Sequence, residues 1–251
     1  RETQANHLKT SLQKITLFFS LLFANKIVFL TEQFARQVQT MLPWVFKTSK
    51  ISVIPNGIDL ELYQPAPPPN NNCVFIGMQS RLIKIKDHLT LLKAFSMLKN
   101  RGDQFNDLKL VIVGDGDFKS ILINKAIALD IDKDVNFAGM LREPELIDFL
   151  HSLDLYIHAS LGETMSTAIM QAMACKLPVI ASDVDGINNM ITNNTTGLLV
   201  PVTDAKALCD AMYLCITQAE VRTKIANSSY EFALNNFSNT AMFQKYKSVF
   251  N

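Results

Sequence analysis

Between Val74 and Val200, short apolar runs recur with a turn and a longer helical stretch after each. The runs are Val74–Gly77, Lys109–Val113, Val135–Phe137, Leu155–His158, Pro178–Ser182 and Gly197–Val200. Helices are expected over 87–99, 118–129, 143–151, 165–175, 204–217, 219–232 and 238–249. Strands this short and this apolar are buried on both faces, which a parallel sheet flanked by helices provides. Such a sheet binds ligands outside the carboxyl ends of its strands. Apolar residues make up 48% of the chain and charged residues 19%, enough to fill a large interior. The net charge of +1 gives no reason to expect nucleic acid as a partner.

The first part of the chain has a different rhythm. Residues 8–24 read as a helix, Lys26–Thr31 as a strand, Glu32–Leu42 as a helix and Lys50–Pro55 as a strand. The apolar run Ile15–Ala24 is too short to span a bilayer and is read as a buried helix, with contact at a membrane interface as the alternative. Tyr63–Asn72 is proline and then asparagine, a linker with nothing to bury, and the domain boundary is placed there. Four cysteines, Cys73, Cys175, Cys209 and Cys215, form no CxxC pair and are read as reduced thiols of a cytoplasmic protein.

Candidate chemistry collects at the strand ends. Gly77-Met-Gln-Ser-Arg81-Leu-Ile-Lys-Ile-Lys86-Asp87 brings an arginine fork and a lysine point charge to one loop, a pair suited to a diphosphate. Lys84 is expected in solvent and Asp87 at the cap of the next helix. Gly114-Asp-Gly116-Asp117 lacks the third glycine and the distant acid of a dinucleotide site, and is read as a tight turn capped by Asp117. Phe137-Ala-Gly139-Met140-Leu141-Arg142 closes another strand. In Glu163-Thr164-Met165-Ser166-Thr167 through Gln171 a carboxylate precedes a helix and an amide follows eight residues later, roughly 12 Å along a helical rise. Backbone N–H groups at that helix start suit phosphate oxygens. Met170 and Met173 are expected in the core. Asp183-Val-Asp185 could hold a divalent ion, but the alternation around it argues against that. His88 and His151 are read as helix-surface residues, and His158 as a satisfied strand-end histidine near the crevice.

The spacing from Arg81 to Pro201 resembles that of the retaining GT-B glycosyltransferases of family four, also called group 1. The resemblance implies two Rossmann-like domains facing across a cleft, with the sugar donor held by the C-terminal one. It divides this chain into residues 1–64, a remnant of the acceptor-side domain with the linker; 65–237, the donor-binding domain; and 238–251, a helix crossing back. On this resemblance most of the acceptor domain lies outside the sequence, and the isolated chain is expected to be inactive. Arg81, Lys86 and Glu163 are the implied catalytic residues, the first two on the diphosphate and the third on the sugar. Gly77, Gly139, Met140, Leu141, Arg142, Thr164, Met165, Ser166, Thr167 and Gln171 are the implied donor contacts. The family carries a second glutamate where this chain has Gln171, and often a glutamate where it has Asn189. The implied reaction is retaining transfer of a hexosyl group from a nucleoside diphosphate sugar to an unidentified acceptor, in polysaccharide or glycolipid assembly, with no metal or other cofactor. The expected setting is the cytoplasm, with a peripheral position at the inner membrane face as a variant. The alternatives are a non-catalytic nucleotide-sugar-binding module and another GT-B enzyme such as a sugar-nucleotide epimerase.

Overall fold

A computed structural model describes residues 11–41, 50–67 and 73–250. The chain opens with α1 (Ser11–Phe23), β1 (Ile27–Phe29), α2 (Glu32–Met41) and β2 (Ile51–Val53). β1 and β2 pair in parallel, Ile27 opposite Ile51, over a small apolar cluster that includes Leu21, Phe29, Ala35 and Val38. The expected end of α2 at Leu42, and residues 68–72 of the linker, lie outside the described residues.

Two of the early expectations are corrected here. Helix α1 is not buried all round. It packs Leu17, Phe18 and Leu21 against the small sheet, while Ile15 and Phe19 are 51% exposed and Phe23 77%. Tyr63, placed in the linker by its proline neighbours, is buried and packs into the core of the larger sheet. No helix among the described residues is long and apolar enough to cross a membrane.

The larger sheet uses β3 (Phe75–Gln79), β4 (Lys109–Val113), β5 (Val135–Gly139), β6 (Leu155–His158), β7 (Val179–Ser182) and β8 (Leu198–Val200). All six strands are parallel, in the order β5-β4-β3-β6-β7-β8. The connecting helices are α3 (His88–Lys99), α4 (Lys119–Ala128), α5 (Glu143–His151), α6 (Thr167–Ala174), α7 (Ala205–Thr217) and α8 (Ala219–Asn236), with α9 (Asn239–Phe250) last. Successive strand residues face opposite layers, as the pleat requires. Ile76, Met78, Leu155, Ile157 and Ile180 pack in the layer of α3, α4 and α7. Tyr156, Val179 and Ala181 pack in the layer of α5, α6 and α8. Each fully buried aliphatic contributes on the order of 1.5–3 kcal/mol by leaving water.

Strand order grows outward from β3 in one direction through β4 and β5, and in the other through β6, β7 and β8. The switch point therefore lies between β3 and β6, where doubly wound sheets open a crevice. An isolated bridge between Ile58 and Ser238 brings the two ends of this body together just before α9.

Boundaries differ from expectation mainly at β3, which starts one residue later and ends two residues later, at β5, which ends two residues later, at α6, and at α8, which ends four residues later. Gly77 consequently lies inside β3, opposite Val111 and Tyr156, and does not end the strand. A Cβ there would meet Leu153 Cδ1 at 2.4 Å, so glycine is required for packing against the chain after α5. It does not line the crevice described below. Asp117 does not cap α4, whose first turn is preceded by Phe118. Asp87 precedes α3 in a left-handed conformation (φ 37°, ψ 38°) without a side-chain capping bond.

Candidate functional site

Two loops meet at the switch point, one after β3 and one after β6. The first is tied to the turn after β4: Ser80 N–H donates to Val113 O at 3.0 Å and Leu82 N–H to Asp115 O at 2.9 Å. Gly114 makes this closeness possible, since its φ is +131° and a Cβ would sit 1.9 Å from Ser80 O. The loop then tightens into a 3₁₀ turn at Lys84–Lys86. There Ile85 O accepts the Leu161 N–H at 2.7 Å and the Ser160 hydroxyl at 3.1 Å, which join the two loops. Lys84 is exposed, as expected, but Lys86 turns inward and is buried.

Lys86 meets Glu163, and their side chains form a buried ion pair. His158, from the end of β6, completes the group with Nε2 2.8 Å from the same Glu163 oxygen, Oε1. A carboxylate only accepts, so His158 Nε2 carries the hydrogen. Its bare Nδ1 then faces the Tyr156 hydroxyl at 3.4 Å. Burial holds His158 below its ordinary pKa, outweighing Glu163, and the nearby Lys86 charge acts in the same direction. The ring is therefore neutral at pH 7, and the charge that balances Glu163 is that of Lys86. Burial alone would push the Glu163 carboxyl up, but the His158 hydrogen bond and the charge and hydrogen bond of Lys86 outweigh it and hold the group at about 2. The site thus keeps a fixed, buried carboxylate.

Beside this group lies a crevice of about 410 Å³. Of the predicted residues, Arg81, Lys86, Glu163, Met140, Leu141, Met165, Ser166, Thr167 and Gln171 line it. Gly139, Arg142 and Thr164 do not. Gly139 instead accepts the Gly114 N–H at 2.7 Å, and Arg142 is exposed at the start of α5, its N–H bonded to Glu145. Thr164 lines a second cavity of about 540 Å³, which lies against α2 and shares Glu163 with the first. In that cavity Gln33 and Gln37 of α2 both donate to the Asp185 carboxylate, at 2.7 and 3.1 Å, and Asn189 donates to Gln33 at 2.8 Å. The Asp183-Val-Asp185 motif therefore supplies an anchor between α2 and the loop after β7. Gly186 lets that loop approach, because a Cβ there would lie 2.4 Å from Glu163 O.

Helix α6 begins at Thr167, two residues later than expected. Ser166 accepts the Ile169 N–H through its hydroxyl and so caps the helix there, leaving residues 163–166 as loop. The helical rise does not apply to that loop, so the 12 Å separation read from the sequence has no basis. Two of the groups expected on phosphate are already used: the Ser166 hydroxyl as cap, and the Ser166 N–H on Met190 Sδ at 3.4 Å. Met165 Sδ receives the Asn56 N–H at 3.4 Å.

Gln171 is buried and works in a chain of hydrogen bonds. Gln79 Nε2 donates to its Oε1 at 3.1 Å, and its own Nε2 donates to the Tyr63 hydroxyl at 2.7 Å. Tyr63 in turn donates to Glu143 at 3.2 Å. Burial, then the Glu143 charge, pushes the Tyr63 phenol up to about 12. His88 is another correction: it is buried in the first turn of α3, with Nε2 3.0 Å from the Ser80 hydroxyl. Burial, then the neighbouring His158 and Lys86, lowers it to about 4. Gln79 and Tyr63 carried no signal in the sequence. His158 did, as a polar residue ending an apolar strand just before Glu163.

Residues 61–232 match the family described as Glycosyl transferases group 1. The chain is 27% identical over 212 residues to the Escherichia coli UDP-Gal:alpha-D-GlcNAc-diphosphoundecaprenol alpha-1,3-galactosyltransferase, covering 80% of this chain and 54% of that protein. It is 23% identical over an alignment of 253 residues to the capsular polysaccharide biosynthesis glycosyltransferase CapM of Staphylococcus aureus, covering 96% and 64%. The chain spans about half the length of the curated relatives it matches. Among solved structures, a glycosyltransferase from Rickettsia africae superposes with a TM-score of 0.82 at 25% identity, covering 96% of this chain and 68% of that one. Anabaena Alr3699/HepE, solved with UDP and glucose, superposes at 0.85 with 20% identity, over 98% and 68%, a likeness of fold.

Proposed function

The chain belongs to the group 1 glycosyltransferases, and on that premise we propose that it carries the donor side of an enzyme that moves a hexosyl group from a nucleoside diphosphate sugar to an acceptor with retention. The observation that carries this reading is the buried Lys86–Glu163–His158 group at the switch point, with Arg81 lining the same crevice.

In this reading the diphosphate lies against Arg81 and Lys86. As the bond from the anomeric carbon to the phosphate oxygen breaks, the electron pair leaves on that oxygen. Arg81 and Lys86 stabilise it there, and Lys86, held in place by Glu163, needs little reorganisation. Lys86 has three N–H donors and uses one on Glu163. Glu163, ionised and held through Oε1, keeps Oε2 to accept a sugar hydroxyl. The start of α6 adds N–H groups for phosphate oxygens. The acceptor hydroxyl approaches from the second cavity, since Glu163 lines both; the hydroxyl oxygen bonds to the anomeric carbon and its proton passes to the departing phosphate oxygen. Residues 1–64 are assigned to the acceptor-side domain, 65–237 to the donor domain and 238–251 to the closing helix. Polysaccharide or glycolipid assembly is the proposed setting, in keeping with the relatives' names.

Calorimetric titration with UDP, GDP and ADP and their sugar conjugates, without added metal, tests this. UDP comes first because the Escherichia coli relative is a UDP-Gal transferase. Saturable binding is expected, weakened at least tenfold in Arg81→Ala, with Glu163→Gln weakening the sugar conjugate more than the bare diphosphate. Absence of binding to every one of them would overturn the proposal. A non-catalytic nucleotide-sugar-binding role is the second reading, favoured by Gln171, whose amide is engaged on both sides within the protein. Sugar transfer to an acceptor, or donor hydrolysis, by this chain or by a longer protein containing it would exclude it.

A further inference from the structure

We propose that Gln79 is a specificity residue that accepts a hydrogen bond from a ribose hydroxyl of the bound nucleotide. The proposal rests on the donor reading above and adds a contact outside the motifs that led to it.

Direction is what singles out Gln79. The Glu143 carboxylate can only accept, so Tyr63 donates to it. The Tyr63 oxygen is then left as an acceptor, and Gln171 must present its NH₂. Gln171 Oε1 accordingly points the other way and takes the NH₂ of Gln79. The chain of donors fixes both amide orientations and leaves one group over, Gln79 Oε1, at its head. That oxygen is buried and has no hydrogen-bond partner. Shutting an acceptor away from water unpaired is costly, so such groups are rare unless something else occupies them.

Gln79 also stands in the right place. It ends β3, two residues before Arg81, and lines the crevice together with Gln171. Its backbone is pinned, with N and O 3.4 and 3.3 Å from the Tyr156 hydroxyl, so only the side chain can adjust. The terminal amide torsion is soft, so the side chain can adjust to present Oε1 to a ligand in the crevice it lines. A neutral acceptor beside a diphosphate-binding arginine meets a neutral donor on the ligand. On a nucleoside diphosphate, the donors nearest the phosphates are the ribose hydroxyls. Tyr63 does not line the crevice and acts as a positioning residue, because its hydroxyl sets the polarity of the chain.

The test compares UDP with 2′-deoxy-UDP and 3′-deoxy-UDP by calorimetry, or the matching GDP or ADP series where that is the base bound. In the unaltered chain, loss of one hydroxyl is expected to weaken binding about three- to tenfold. In Gln79→Leu that ratio falls to about one, while dependence on Arg81 remains. In Tyr63→Phe the amides lose their fixed direction and the ratio also falls while binding of the deoxy form stays as in the unaltered chain, whereas general loosening of the site would weaken both forms. Equal binding of the ribose and deoxyribose forms by the unaltered chain overturns the inference alone. So does an undiminished ratio in folded Gln79→Leu or, should that variant not fold, in Tyr63→Phe. No binding of any diphosphate overturns it together with the donor reading.

Discussion

Replacing Lys86 with methionine removes the charge that balances Glu163 while keeping most of the packing volume. The two side chains are 9% and 2% exposed, so water does not substitute for the lost ammonium. Breaking one side of a buried pair costs about 3–5 kcal/mol. A second route agrees. Holding Glu163 at about 2 against an ordinary 4.5 corresponds to about 3 kcal/mol at neutral pH; His158 and Lys86 supply it together against burial, so losing the Lys86 charge and bond removes a share of it. The penalty should also depend on pH. In the unaltered chain the folded pKa of Glu163 is depressed, so its contribution is present above about 4.5 and is lost as pH falls toward 2. Without Lys86 the site relieves its unpaired charge by taking up one proton on folding, whether on Glu163 or on His158. A raised folded pKa contributes stability at low pH and loses it as pH rises. The penalty of Lys86→Met measured by urea unfolding should therefore be about 3 kcal/mol or more at pH 8. It should shrink toward pH 5 by up to about 1.4 kcal/mol per unit over the titrating range. A penalty below about 1 kcal/mol, or one that does not change with pH, would refute the reasoning.

Gly114→Ala should cost about 3 kcal/mol or more in urea unfolding and weaken nucleotide binding, because its Cβ would sit 1.9 Å from Ser80 O at a φ of +131°; a cost below about 1 kcal/mol would show that the Arg81 loop yields easily. His88, lowered to about 4 by burial, has a depressed folded pKa, so its unfolded form binds the extra proton and stability falls as pH drops from 6.5 toward 4. His88→Asn should remove about 3 kcal/mol of that pH-dependent loss, read from unfolding midpoints across the range. Ile157→Ala, at a fully buried position in β6, should cost about 2–5 kcal/mol and leave the pH profile unchanged.

The sheet was legible because its evidence is local. Runs such as Lys109–Val113 and Leu155–His158 have strand length and strand composition, and the structure keeps both boundaries. Local rules failed where a neighbour distant in sequence took over. Asp87 stands at the N-cap of α3 as expected but makes no side-chain capping bond, and Phe118 takes the cap position of α4 in place of Asp117; the loops around them are held by bonds such as Leu82 N–H to Asp115 O. His88 lies in a polar first turn and reads as exposed, but the loop after β3 folds over it. Tyr63 has a linker's neighbours and a core residue's burial.

What the sequence by itself determined is the alternation that demands a covered parallel sheet, and the carriage of Arg81, Lys86 and Glu163 to strand ends. Those follow from periodicity and turn chemistry, which act within a few residues. Only the tertiary structure decided that Lys86 is buried against Glu163 with His158, that Asp185 joins two glutamines of α2, and that Gln171 passes its hydrogen bonds from Gln79 to Tyr63. These pairings span 77 to 152 positions for the most distant partners. Their energies depend on burial and distance, and neither exists until the two loops close on each other.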